Sequence, residues 1–357
     1  MIPGAWGSYP RREGNLVHPL IGGREAFRRI AEAVDAARDR VWLTVTFYGD
    51  DFRLPDGRGL FDLLDEAAAR GVDVRAVFWR PNPESANYGR TYPIESPVRP
   101  CLRLRWDRAI GPYCHHQKSW MIDDTGFVGG INLTAFAFER HDAYVEVNGP
   151  CASDVAHNFV QRWNGASEPH VSDDLPLPST VMEARGSSAV QIQRMFRDDR
   201  SILEQYELAI DAAQHSIYIE NQAIPIPAIA ARLEGALRRG VEVVLLVPAV
   251  PEEHVYVARQ DPKRRALFDR LESLSRYPRF RLAGLSVYVH CKLMIVDDEW
   301  VTIGSCNLHA YSLGGHSEMN ASIWDGAVAR ALRQRLRRQH EGDMFTLLPQ
   351  RYGIDRR

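Results

Sequence analysis

The sequence predicts an α/β protein built as two similar lobes, each a mixed, largely parallel sheet flanked by helices, the two related by pseudo-twofold symmetry. Three observations lead there: a helix and strand order that occurs twice, the same Arg-Gly-Val junction in both halves, and a polar segment between them. The 357 residues, 45% hydrophobic and 25% charged, are enough for a duplicated domain with a large core.

In the first half, Phe27 to Ala37 has the spacing of an amphipathic helix and Val41 to Phe47 reads as a buried strand. Leu60 to Arg70 is the next helix, and Val72 to Trp79 the strand after Gly71. The second half repeats the order with helix Ile202 to Ala213, strand Ile217 to Gln222, helix Ile229 to Arg239 and strand Val241 to Pro248. Arg70-Gly71-Val72 and Arg239-Gly240-Val241 join helix to strand, as a glycine does where it ends a helix before a sheet. Between the halves, Ser167, Pro169, Pro176, Pro178, Gly186, Ser187 and Ser188 mark a linker. The expected division is a first repeat over 1–165, a linker over 166–190 and a second repeat over 191–357.

The longest apolar stretch, around Val243 to Val250, is too short to span a bilayer, and no apolar signal core follows Arg11 and Arg12. A cytoplasmic protein, peripheral at a membrane, is the expectation. Cys101, Cys114, Cys151, Cys291 and Cys306 are odd in number and lack CxxC spacing, so free thiols are expected rather than disulfides or zinc. A formal net charge of −2 counts against a nonspecific nucleic-acid binder, which pairs many cations with phosphates.

Each half ends in one constellation: His116-Gln117-Lys118, Asp123 and Gly129-Gly130-Ile131-Asn132 in the first, His290-Cys291-Lys292, Asp297 and Gly304-Ser305-Cys306-Asn307 in the second. If Ser119 to Ile122 and Leu293 to Val296 continue strands, His and Lys two apart project from one face. An imidazole and an ammonium from each repeat then make a cage for a phosphodiester. The lysines supply charge for the nonbridging oxygens, and Asn132 and Asn307 supply amide donors. One His-x-Lys is a common surface pattern, whereas two in register within a duplicated chain point to chemistry. His115 faces the other way and is read as structural.

In these motifs the chain resembles the phospholipase D superfamily, whose HxKxxxxD signature is matched twice, with the GSxN element intact in the second half and Gly130 in place of Ser in the first. The resemblance extends to His141-Asp142, Gly149-Pro150, Phe159 to Asn164, Ile217 to Gln222 and the Arg-rich helix Ala329 to His340. It implies His116, Lys118, Asp123, His290, Lys292 and Asp297 as the catalytic set. Lys118, Asn132, Lys292 and Asn307 would hold the phosphate, and Asp123 and Asp297 would be structural ion-pair partners more than reactants. It further implies that an acid beyond each motif orients the imidazole and raises its pKa, with Asp142 following His116 by 26 residues and Glu318 following His290 by 28.

By analogy with bacterial lipid-acting members, His116 attacks phosphorus to give a phosphohistidine while His290 serves as acid and then base. No group shows metal-ligand spacing, so neither cofactor nor metal is expected. The leading expectation is a phospholipase D that hydrolyses a glycerophospholipid at a membrane surface to phosphatidate and alcohol, or transfers the phosphatidyl group. Water or an alcohol is the acceptor, nucleic acid is not a partner, and a monomer suffices. A nuclease of the same fold and a cardiolipin-synthase-like transferase stand as alternatives, the latter set back by the missing N-terminal membrane helices. Tyr48, Asp50, Glu220 and Gln222 are the expected substrate-lining residues, Tyr48 and Asp50 belonging to a Phe47 to Phe52 cluster suited to a cationic headgroup. Arg330, Arg333, Arg335, Arg337 and Arg338 read as a solvated basic helix face.

Overall fold

In a computed structural model, residues 2–82, 101–108, 111–166 and 173–354 are described. Ser167 and Pro169 of the expected linker lie outside them. The first half runs β1 (Arg12–Ile21), α1 (Gly23–Ala36), β2 (Arg40–Val45), α2 (Leu60–Ala69), β3 (Asp73–Arg80), β4 (Arg103–Arg108), β5 (Ser119–Ile122), β6 (Thr125–Gly129), β7 (Arg140–His141), β8 (Ala143–Asn148) and α3 (Ala152–Gly165). The second runs β9 (Ser188–Met195), α4 (Ser201–Ala212), β10 (Ser216–Asn221), α5 (Pro227–Arg238), β11 (Glu242–Leu246), α6 (Glu253–Gln260), α7 (Arg265–Leu274) and β12 (Phe280–Gly284). It continues through β13 (Tyr288–Val289), β14 (Lys292–Val296), β15 (Trp300–Gly304), α8 (Ala310–Gly314), β16 (Glu318–Trp324), α9 (Gly326–His340) and β17 (Phe345–Thr346).

Local chemistry accounts for these elements. In α1 the buried Ala26, Phe27, Ile30, Ala31 and Val34 recur at three and four residues, and each large apolar side chain contributes about 1.5–3 kcal/mol by leaving water. Helices α2 and α5 both end at the predicted glycine. Gly71 and Gly240 each have φ +89°, and the amides of Val72 and Val241 reach back to the carbonyls of Ala67 and Ala236. Helix α9 starts where the Asp325 carboxylate accepts the amides of Ala327 and Val328.

Among the described residues, fifteen strands form one sheet in the order β17-β12-β11-β10-β14-β15-β16-β9-β1-β8-β6-β5-β2-β3-β4. Read outward from the centre, β9-β16-β15-β14-β10-β11-β12 repeats β1-β8-β6-β5-β2-β3-β4, which is the predicted pseudo-twofold pair of α/β lobes. The lobes join where Arg12 and Asn15 of β1 pair with Val190 and Ser188 of β9. Parallel pairing within this sheet is narrower than the sequence suggested. It is confined to β2-β3-β4 and β10-β11-β12, because the motif strands β5 and β14 turn straight back into β6 and β15, and hairpins are antiparallel.

Three cores follow from this layout. One lies under α1 and α2, a second under α4, α5 and α7, and a third mixes residues of both halves, from Val145 and Phe159 to Ile303 and Leu336. The basic run on α9 is not simply solvated. Arg335 pairs with Glu25 at 2.5 Å, and the Arg333 guanidinium lies 3.8 Å from the centre of the Tyr218 ring. All five cysteines are free thiols.

Candidate active site

Strands β5 and β14 lie inside the sheet, so the residues that lead into them are held by neighbours on both sides. His116, Lys118, His290 and Lys292 are all buried, each less than 7% exposed. The Lys118 ammonium donates to the His116 carbonyl at 2.7 Å and to Thr46 Oγ1 at 3.1 Å. In the second half, Lys292 donates to the His290 carbonyl and, at 3.3 Å, to Gln222 Oε1. Thr46 and Gln222 are counterparts, since Thr44 pairs with Ser119 in one lobe and Glu220 with Leu293 in the other. Both lysines are thus aimed by their own histidine carbonyl and by a side chain just past the first strand of the lobe.

The carboxylates behind the imidazoles are exchanged between repeats. His116 Nδ1 lies 2.8 Å from Glu318 Oε2, and His290 Nδ1 lies 2.5 Å from Asp142 Oδ2. The backbone crosses in the same sense: the His116 amide donates to the Ser317 carbonyl at 2.9 Å and the His290 amide to the His141 carbonyl at 2.8 Å. Each acid therefore backs the histidine of the other motif, not the one it follows in sequence. Bonded in this way, Nδ1 carries the proton and Nε2 keeps its lone pair.

Gly130 and Ser305 fit the same exchange. The Ser305 hydroxyl donates to Glu318 Oε2 at 2.5 Å, as Ser312 does to Oε1 at 2.5 Å. A Cβ on Gly130 would stand 2.5 Å from Asp142 Oδ1, so the shorter acid occupies the space a side chain would need. The serine hydroxyl serves the carboxylate, and its absence in the first half removes no contact from the cleft.

The expected rise in imidazole pKa is reversed. Burial, followed by Lys118 and Lys292, holds His116 well below the usual histidine value. Burial, followed by Lys292, pushes His290 down to about 4 against the pull of Asp142. Desolvation also lowers Lys118 to about 7, lowers Lys292 and raises Glu318. An anion entering beside these groups would oppose the shifts by favouring the protonated forms.

Asn132 and Asn307 each keep a buried Oδ1 without a protein hydrogen-bond partner, an acceptor that a donor such as a hydroxyl would satisfy. Asn132 lines a small cavity with Thr134, Phe136, Arg140, Asp142 and His290. Asp123 and Asp297 lie at the far ends of β5 and β14 from the lysines, at φ 46° and 54°. Each accepts three backbone amides, those of Arg38, Asp39 and Arg40 or of Gln214, His215 and Ser216. Amides of the neighbouring strand thus stand where an ion pair was expected, and neither acid is placed with the reacting groups.

Of the expected lining residues, Gln222 reaches Lys292. Tyr48 does not line the cleft. It is 7% exposed and packs edge-on against Phe61 and Phe78, because the chain turns inward there to pair with Leu133. Phe52 is likewise in the core, Asp50 is exposed, and Glu220 is fully buried behind the strand. Phe47 is the member of that cluster near the site, its ring 5.9 Å from the Lys118 ammonium and 6.4 Å from the His116 ring. His115 is buried between Asp107 and Arg162.

Two features escaped the sequence reading. Arg140, 4.8 Å from the Phe136 ring and 4.7 Å from the Tyr288 ring, holds a permanent cation at the His290 side of the cleft. At the counterpart position, His316 lies 5.6 Å from the His116 ring beside Tyr311 and His309. The equivalence follows from position, since Arg140 and His316 each stand two residues before the acid that backs an imidazole, Asp142 or Glu318.

A profile of the family described as cardiolipin synthase, PLD-like domain, matches the chain twice, over residues 30–163 and 206–339. The major cardiolipin synthase ClsA of Bacillus subtilis (strain 168) is 27% identical over 351 residues, covering 90% of this chain and 68% of that protein. A cardiolipin synthase of Listeria innocua is 24% identical over 344 residues with the same coverage of both. The crystal structure of phosphatidylserine synthase from Haemophilus influenzae Rd KW20 shares the fold, with a TM-score of 0.67 over 98% of this chain and 91% of that one at 14% identity.

Proposed function

Because the chain belongs to the family of cardiolipin synthase, PLD-like domain proteins, we propose that this enzyme of phospholipase D type moves a phosphatidyl group from a glycerophospholipid to an alcohol by way of a phosphohistidine. The observation that carries the reading is the pair of buried His-Lys half-sites, each closed by a carboxylate of the other repeat.

In the first step the free Nε2 of His116 attacks phosphorus, and the P–N bond forms as the bond to the leaving alcohol breaks. His290, protonated once the phosphodiester anion has entered, gives its Nε2 proton to that alcohol. Lys118, Lys292, Asn132 and Asn307 offset the charge that builds on the nonbridging oxygens. In the second step the acceptor hydroxyl yields its proton to His290 and displaces His116. Water in place of an alcohol gives phosphatidate, so hydrolysis, placed first on sequence, is the side branch of the same step. Transfer moves ahead of it because relatives aligned to 90% of the chain carry the name cardiolipin synthase. Both half-sites reside on one chain, so a monomer is sufficient. Among the described residues no helix is long and apolar enough to cross a membrane, and the chain is proposed to work from the membrane surface.

Incubation with vesicles of phosphatidylglycerol, followed by mass spectrometry of the lipids, tests this. The expected products are a lipid with two phosphatidyl groups on one glycerol and free glycerol, both absent with His116→Ala. Phosphatidate alone would replace transfer by hydrolysis. Cleavage of DNA with untouched lipid would establish the nuclease alternative instead.

A further inference from the structure

On the face of β10 and β14 turned away from Lys292, three side chains from distant parts of the chain converge. His141 comes from β7, Glu220 from β10 and His340 from the last turn of α9. Glu220 and His340 are 0% and 4% exposed, and the ligand atoms of all three lie within 4.8 Å of one another. His141 Nε2 is 2.7 Å from Glu220 Oε2, and His340 Nδ1 is 3.6 Å from Glu220 Oε1. The Tyr218 hydroxyl donates to Glu220 Oε1 at 2.5 Å and lies 3.1 Å from His340 Nδ1, which holds the carboxylate between the two rings.

We infer that His141, Glu220 and His340 form a binding site for a divalent transition-metal ion of the zinc class. Two imidazoles and a carboxylate are the donor set such an ion takes, at about 2.0–2.2 Å in tetrahedral geometry, so donors across one ion stand roughly 3.3–3.6 Å apart. Ligand atoms that lie within 4.8 Å of one another close by at most roughly 1.5 Å to reach that span. A second observation is independent of the spacing: His340 Nε2 is buried with no hydrogen-bond partner, so no second bond fixes the tautomer, and Nδ1, the nitrogen facing Glu220, can present its lone pair. Binding displaces the proton shared by His141 and Glu220, and the Tyr218 hydroxyl remains as the outer group that orients the carboxylate.

The ion would lie behind the cleft and touch no reacting atom. Its effect is positional. The His141 carbonyl holds the His290 amide, and the next residue, Asp142, holds the His290 ring. Fixing His141 to β10 and to the end of α9 therefore fixes the segment that aims one catalytic imidazole. The metal site does not depend on which phosphodiester the enzyme takes.

The test uses the untagged full chain, dialysed against EDTA and titrated with Co2+ and with Zn2+. One equivalent of Co2+ should bind and give visible ligand-field bands, which one equivalent of Zn2+ should abolish, and Zn2+ should raise the thermal midpoint. Glu220→Gln and His340→Ala should each lose the bands, with far-UV circular dichroism to show that both remain folded. The wild-type titration decides the matter even if a variant fails to fold. No stoichiometric Co2+ binding by the wild type overturns the inference, as do bands that persist unchanged in both folded variants.

Discussion

Behind the His116 ring stands Glu318, which also receives two serine hydroxyls, whereas His290 is backed by Asp142, whose other oxygen accepts the amide of Ala143. This exchange makes the two acids separable by kinetics. On the proposed assignment of His116 as nucleophile, a nitrophenyl phosphodiester, whose leaving group needs no acid, makes the first step report on His116 alone. Glu318→Gln should slow formation of the phosphoryl-enzyme by about 10²- to 10⁴-fold, the range expected when an imidazole loses the group that sets its tautomer. Asp142→Asn should leave formation near the wild-type rate and let the adduct accumulate, because breakdown needs His290. Rapid-quench trapping with peptide mapping reads both rates, and the opposite pattern would make His290 the nucleophile in place of His116.

At the level of elements, Asp123 and Asp297 do for the strands what a capping residue does for a helix. Each sits in the left-handed region just past a motif strand and gathers the three amides that open β2 or β10. Asp297→Ala loses these charge-assisted bonds and places a less tolerant residue at φ 54°, at a cost of about 3 kcal/mol. Asp297→Asn, which accepts that φ more readily, should cost less. Urea midpoints measure the difference. The catalytic rate of either variant, assayed where it is folded, should stay within a few-fold of wild type, and abolished turnover in well-folded Asp297→Ala would return the residue to the reacting set.

Over the whole molecule, the site lies in a seam rather than in either lobe, and its charges govern how stability depends on pH. Burial first of all depresses His115 to about 3, His290 and His309 to about 4, His316 to about 3, and His116 well below normal. A depressed histidine is neutral in the fold but takes up a proton once unfolded. The associated stability is therefore fully present above an unfolded pKa of about 6.5 and is lost as pH falls toward about 4. His141 and Glu318, whose values are raised, contribute with the opposite sign but are outnumbered. The urea midpoint should drop between pH 6.5 and 4.5, and a phosphate-like anion such as tungstate should lessen the drop by favouring the protonated cage. A midpoint flat across that window without anion would show that these rings are not held neutral.

The sequence by itself determined the duplicated α/β plan, the helix ends at Gly71 and Gly240, and the two His-Lys pairs, because each of these depends on neighbours within a few residues. It also supplied Asp142 and Glu318 as candidates. Only the tertiary structure decided which imidazole each one backs, since Glu318 and His116 are 202 residues apart and Asp142 and His290 are 148 apart. The same crossing of strands at the seam brought Arg140 beside His290 and drew His141 and Glu220 together across 79 residues, while packing inside the first lobe buried Tyr48 away from the cleft. The sign of the histidine shifts was likewise out of reach, because spacing names the carboxylate that raises a pKa but carries no measure of the desolvation and the lysine charge that outweigh it.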